Sequence, residues 1–169
     1  METTGVLRQA FLFESLTDGQ MDDVVRLGRE MDYSAGDVIF THGKRAETVH
    51  ILLDGRISVR IKDDEETDLM AKILEEPGAV FGTVSLVKPH VYNVTAEAVS
   101  DAKTFAIEAS RLTDTMRADP VLGFEIMCCL SQSYLHRLNI KRMGMISLYK
   151  AFRSQNRKSE IYDAYREVA

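Results

Sequence analysis

The sequence predicts an α+β fold: an antiparallel β jelly roll (a double-stranded β-helix barrel) with short N-terminal helices and a long C-terminal helix. Three observations predict it. Two Gly-punctuated stretches, about 40 residues apart, each leave a short apolar strand between turns. The first runs Gly36-Asp37-Val38-Ile39-Phe40-Thr41-His42-Gly43 and on through Val49 to Val59 across Gly55. The second runs Pro77-Gly78-Ala79-Val80-Phe81-Gly82-Thr83-Val84-Ser85-Leu86. Between Met31 and Ile107 the hydrophobic period is short and strand-like, and after Ala109 it turns helical and stays so.

The elements follow in order. Val6, Leu7, Phe11, Phe13 and Leu16 make a short apolar helix or turn. Thr17-x-x-Gln20 is a capping box, in which the Thr hydroxyl and the Gln amide satisfy free N–H groups at a helix start; Met21, Val24 and Val25 continue at helical spacing and Gly28 stops the helix. Strands are expected over 38–41, 49–53, 56–62, 69–74, 79–81, 93–99 and 103–108. The carboxylate run Asp63-Asp64-Glu65-Glu66 reads as a solvated hairpin tip, since a calcium loop needs alternating ligands and a Gly. The long helix is expected over about 112–152, with 153–169 a short helical or frayed tail, so that 1–152 form one domain: helices about 6–28, barrel about 31–109, then the helix.

That helix carries a seam. Phe124, Met127, Ser131, Tyr134, Leu138, Lys141, Met145, Leu148 and Phe152 step by three and four, and seven of the nine are apolar. A second stripe, Leu122, Ile126, Leu130 and Leu135, lies on another face. One face can pack on the barrel while the other meets a second copy, so a homodimer through residues 122–152 is expected; a single stripe docked on its own barrel is the alternative. Gly144 weakens the helix by roughly 1 kcal/mol relative to Ala.

Composition excludes several functions. A chain of 169 residues buries roughly two-thirds of its unfolded surface, enough for a core. Its net charge of −5 argues against a surface built for nucleic acid or anionic lipid. No apolar run reaches the roughly 18 residues needed to span a bilayer, and no secretory leader is visible, so a cytoplasmic location is expected. Cys128 and Cys129 are adjacent and point about 100° apart on a helix, so they cannot bridge without strain. They read as small core residues in a reduced interior. No His-x-His pair marks a barrel metal site of the cupin type. Gly-x-Ser-x-Gly, His-Glu-x-x-His and Gly-x-x-x-x-Gly-Lys-Ser/Thr are absent, so no enzyme activity is expected.

The Gly36…Gly43…Gly55 spacing joined to Pro77-Gly78-x-x-Phe81-Gly82-x-x-Ser85-Leu86 resembles the cyclic-nucleotide-binding domain of bacterial catabolite activator proteins and protein kinase A regulatory subunits, over roughly residues 11–150. The resemblance implies a phosphate-binding cassette: Phe-Gly-Glu, a small residue and Leu, then an Arg nine positions after the Glu. The Glu accepts from the ribose 2′-hydroxyl, the Arg forks onto the cyclic phosphate, and backbone N–H groups after the Gly cradle the anion. Phe81, Gly82, Ser85 and Leu86 match. Thr83 stands at the Glu position and Tyr92 at the Arg position, with Thr95-Ala96-Glu97-Ala98 confirming the register. Both ligand-defining side chains are therefore replaced.

The candidate ligand-binding residues are Phe81, Gly82, Thr83, Val84, Ser85, Tyr92 and Asn93, with Lys141 and Arg142 of the long helix at the level where the family's helix approaches the base. Lys88 and His90 of the cassette loop are further cations, and His90 is the candidate axial ligand in a haem-binding variant of the fold. Two functions follow. One is a stand-alone regulatory sensor of a cyclic nucleotide or another small anion, not held in the usual way, that signals or assembles through the long helix. The other is a pocket-less structural or protein-interaction module. DNA reading is not expected, since residues 153–169 are too few for a winged helix-turn-helix and the charge is acidic.

Overall fold

The computed structural model describes residues 3–62 and 68–166, with helices α1 (Thr3–Leu7) and α2 (Asp18–Leu27) preceding the sheets. The expected capping box starts α2: Gln20 N donates to Thr17 Oγ1 (3.4 Å) and Thr17 N donates to Gln20 Oε1 (3.1 Å). Gly28 ends the helix as expected and also opens a strand.

Among the described residues, eight strands form two antiparallel sheets. They are β1 (Gly28–Tyr33), β2 (Val38–Phe40), β3 (Thr48–Asp54), β4 (Ile57–Lys62), β5 (Asp68–Leu74), β6 (Val80–Phe81), β7 (Thr95–Ala98) and β8 (Ala102–Glu108). One sheet has the order β1-β8-β3-β6 and the other β2-β7-β4-β5. Strand β1 was not among the expected strands, because Arg29, Glu30 and Asp32 hide its pattern. It is a sheet edge, fixed by antiparallel register from Gly28↔Ile107 to Tyr33↔Ala102. A Cβ at Gly28 would come within 2.5 Å of the Phe105 ring and 2.8 Å of the Ala106 carbonyl, so only glycine lets this strand start against β8. The acidic run Asp63–Glu66 lies outside the described residues.

The space between the sheets is filled by Phe40, Leu52, Ile57, Phe81 and Tyr92, with Ala96, Ala98 and Ala102 among them. The three alanines leave room for the three aromatic rings, which satisfies interior close packing with large and small residues side by side. Helix α1 packs on β3, and α2 packs on β1 and on the helix that follows β8, α3 (Ala109–Ala118).

Two helices follow the barrel instead of one. Helix α3 spans Ala109–Ala118 and α4 spans Pro120–Arg166, so the long helix starts later and runs further than 112–152. The break is an N-cap. Asp119 Oδ1 accepts from the backbone N–H of Val121 (3.0 Å) and Leu122 (3.1 Å), and Pro120 takes the first helical position, where a missing N–H does no harm. Asp119 Oδ2 accepts from Gln20 Nε2 at 2.9 Å, and these hydrogen bonds, the Gln20 bond first, hold its carboxyl below the usual range. The chain divides into two compact units, Met1–Leu130 and Ser131–Ala169, so the division falls inside α4 and not after residue 152. Within the first unit, Leu122, Ile126 and Leu130 of the second stripe are buried, whereas Leu135, in the second unit, is exposed.

Candidate functional site

The turn after β6 is shaped by Gly82, whose φ of +75° suits glycine and starts a 310 turn at Thr83–Leu86. A Cβ there would lie 2.7 Å from the Thr48 carbonyl oxygen. Ser85 N donates to Gly82 O (3.1 Å) and Val87 N to Val84 O (3.3 Å), so these amides close the turn on itself. Thr83 and Ser85 are buried, Val84 is half-buried against the interior cluster, and Asn93 is exposed.

Tyr92 points into the barrel and is only 6% exposed. Its ring lies parallel to Phe40 (centroids 3.8 Å, planes 5° apart). Its hydroxyl donates to Thr48 O and accepts from Thr48 N, both at 3.2 Å. The backbone N–H and C=O of one residue at the start of β3 thus meet the phenol as donor and acceptor. Burial pushes the phenol's pKa up, so it stays neutral. Tyr92 N donates to Lys44 O (2.9 Å) and Gly43 N donates to Tyr92 O (2.8 Å), fixing the backbone on which the ring is carried.

The sequence assigns His50 no role; it is a member of this aromatic stack. Its ring lies on Phe81 (5.1 Å, 17°) and 6.0 Å from Phe40, with Nδ1 3.3 Å from Thr104 Oγ1. Burial pushes its pKa down to about 4, so the ring is neutral. A second feature without a local signal is the half-buried Arg60–Glu97 ion pair that joins β4 to β7.

The expected site residues separate. Phe81, Gly82, Thr83, Val84, Ser85 and Tyr92 stand along the cassette and its β3 wall. Lys141 and Arg142 lie on the second unit, both exposed. Two cavities are lined entirely by the first unit. One, of about 470 Å³, has Phe40, His50 and Tyr92 in its wall; the other is a cleft of about 1130 Å³. Neither is lined by Gly82, Thr83, Val84 or Asn93. His90 of the cassette loop stands at φ +56°, and its Nδ1 donates to Ser85 O at 2.8 Å. Cys129 is buried with Sγ 3.9 Å from Ser15 Oγ, and burial pushes its thiol pKa up. No group of three or more His, Cys, Asp or Glu among the described residues is placed to hold a metal ion.

The family model of the cyclic nucleotide-binding domain matches residues 30–119, which is 90 of the 169 residues. The chain belongs to the cyclic nucleotide-binding domain family. Solved structures agree on the fold. A candidate cyclic nucleotide-binding protein from Geobacter metallireducens superposes with a TM-score of 0.68 at 29% identity, over 82% of this chain and 99% of that one. The N-terminal domain of a transcriptional regulator from Streptomyces coelicolor superposes with a TM-score of 0.69 at 21% identity, over 79% and 92%. Among curated proteins, a candidate potassium channel protein from Rhodopseudomonas palustris is 21% identical over 115 residues, 68% of this chain. The domain spans 27% of that relative's length. No helix among the described residues is long and apolar enough to cross a membrane.

Proposed function

We propose that this domain is a cytoplasmic, non-catalytic regulatory module on a jelly-roll frame whose cassette does not hold a cyclic nucleotide in the family's usual way, and that it assembles as a homodimer through α4. The observation that carries the reading is Tyr92. Where the resemblance puts a guanidinium, a neutral ring is packed on Phe40 with its hydroxyl committed to Thr48. Thr83, at the Glu position, is a buried short hydroxyl. A buried charge-assisted contact of the Arg–phosphate kind contributes on the order of 2–5 kcal/mol, so its loss weakens binding by roughly thirty-fold to several thousand-fold. Calorimetry of the full chain with cAMP and cGMP, up to about millimolar ligand, should give no saturable heat. Saturable micromolar binding of either nucleotide refutes this reading.

The exposed seam supports the assembly. Phe124, Met127, Leu138, Met145, Leu148 and Phe152 recur at coiled-coil spacing and are all exposed in a single chain, as is Lys141 at a seam position where a charge sets register. The packed interior around Tyr92 favours a second reading, a module that works through protein contacts alone with no small ligand. The two readings part on whether any small anion binds this chain.

A further inference from the structure

The larger cleft, of about 1130 Å³, is walled by the α2–β1 junction, the start of β3, the cassette loop and α3. We propose that it is an anion-binding site, lined by Ser85 and Leu86 of the cassette turn but not by Gly82, Thr83 or Tyr92, that takes a phosphate-bearing small molecule.

Charge points to this first. The whole chain carries 21 Lys and Arg against 26 Asp and Glu, yet the cleft inverts that balance, with five cations against three carboxylates. Two of the cations are neutralised: Arg45 pairs with Glu47 and Arg117 with Asp114, each at 3.2 Å. Arg111 donates to the last carbonyls of α2, Leu27 O (2.8 Å) and Arg26 O (3.4 Å), and its charge balances the remaining carboxylate, Glu108. That leaves Arg29 on β1 and Lys88 on the cassette loop, exposed and without an ion pair among the described residues. Two net positive charges suit the two negative charges of a phosphate monoester.

The wall carries unused hydrogen-bonding capacity as well. Ser85, 2% exposed, lines the cleft, and its Oγ has no hydrogen-bond partner. Buried hydroxyls normally find one. Beside it, His90 is the described non-glycine residue with φ in the left-handed region, a conformation that collects at ligand sites. The volume is large enough for a small organic molecule, not only an ion. A ligand held here ties the cassette loop to α3, the helix that leads through Asp119 into α4.

The test is a titration of the full chain with pyrophosphate at constant ionic strength, followed in ¹H–¹⁵N spectra. Saturable shifts confined to amides around Arg29, Lys88, His90 and Ser110 are expected. Arg29→Ser and Lys88→Ser should each weaken binding about ten-fold while leaving the unfolding midpoint unchanged, since both side chains are exposed. No saturable shift by about 10 mM pyrophosphate, shifts scattered over all basic surfaces, or undiminished affinity in the double variant would each overturn the proposal. The wild-type shift map does not depend on the variants folding.

Discussion

Acid should destabilise this domain through one ring. His50 is buried on Phe81 with a pKa of about 4, against 6.5 for a solvated histidine. Above pH 6.5 both the folded and the unfolded chain hold a neutral imidazole, and the group is silent. Below it the unfolded chain takes up a proton that the folded chain refuses, so stability falls as pH falls, until the buried ring also titrates near pH 4. At pH 5 the loss from this group is about 2 kcal/mol, and below pH 4 it saturates at about 3 kcal/mol, at about 1.4 kcal/mol per pKa unit. Urea unfolding followed by far-ultraviolet circular dichroism at pH 7.5 and pH 5 measures it, on the wild type and on His50→Phe. The phenyl ring keeps the stack, and the double difference cancels both the pH-independent effect of the substitution and the titration of every other group. The wild type should lose about 2 kcal/mol more than the variant between the two pH values. Equal losses refute the placement of a neutral imidazole in the barrel.

Other perturbations separate backbone from side-chain effects. Gly82→Ala forces a Cβ to 2.7 Å from the Thr48 carbonyl at φ +75°, so it should destabilise by more than the ~1–3 kcal/mol of a strained residue alone. Gly43→Ala has a similar φ, +77°, and open space, so it should show only the strain; equal losses in urea unfolding would refute the contact. Leu138→Lys with Leu148→Lys removes two exposed seam leucines from each copy, each leucine contributing about 1.5–3 kcal/mol when buried, and should shift the chain to monomer in sedimentation at concentrations where the wild type is dimeric. A wild type that is monomeric at every concentration refutes the seam. Tyr92→Arg with Thr83→Glu should gain cAMP-dependent thermal stabilisation; a variant that folds yet gains none at millimolar nucleotide shows that the frame as well as the side chains has changed.

The barrel was legible because its signals are local. Gly turns bracket β2 through β6, and the strands expected at 38–41, 49–53, 56–62 and 69–74 differ from those observed by a residue at most at each end. The capping box at Thr17 and the stop at Gly28 are likewise written in a few neighbouring residues. Strand β1 was not legible, since its outward charges mask a register that only pairing with β8 fixes. The break at Asp119-Pro120 carried a readable N-cap and first-turn proline, but the apolar steps run on through it. The inward aim of Tyr92 is set by Phe40 and Thr48, more than 40 positions away, so spacing near the cassette says nothing of it. The cleft is further still from local reading: Arg29, Arg45, Lys88 and Arg111 arrive from four separate elements.

A tyrosine at position 92 changes what the barrel needs in order to be stable. An arginine turned into the space now held by the Phe40 stack would bury an uncompensated charge, at several kcal/mol, until an anion arrived. Its cassette would then be completed by its ligand, and ligand affinity would differ between open and closed states. Tyr92 needs no such partner: the ring packs among Phe40, Ala96 and Ala98, and the hydroxyl is satisfied by the backbone N–H and C=O of Thr48. A site complete without its ligand has no differential affinity to offer, and a ligand shifts an equilibrium only by that difference. If the cassette takes no cyclic nucleotide, as proposed above, control of such a module enters elsewhere. Two proposed routes supply it: an anion that joins α3 to the cassette loop, and mass action on an association through α4, whose populations would follow the protein's own concentration.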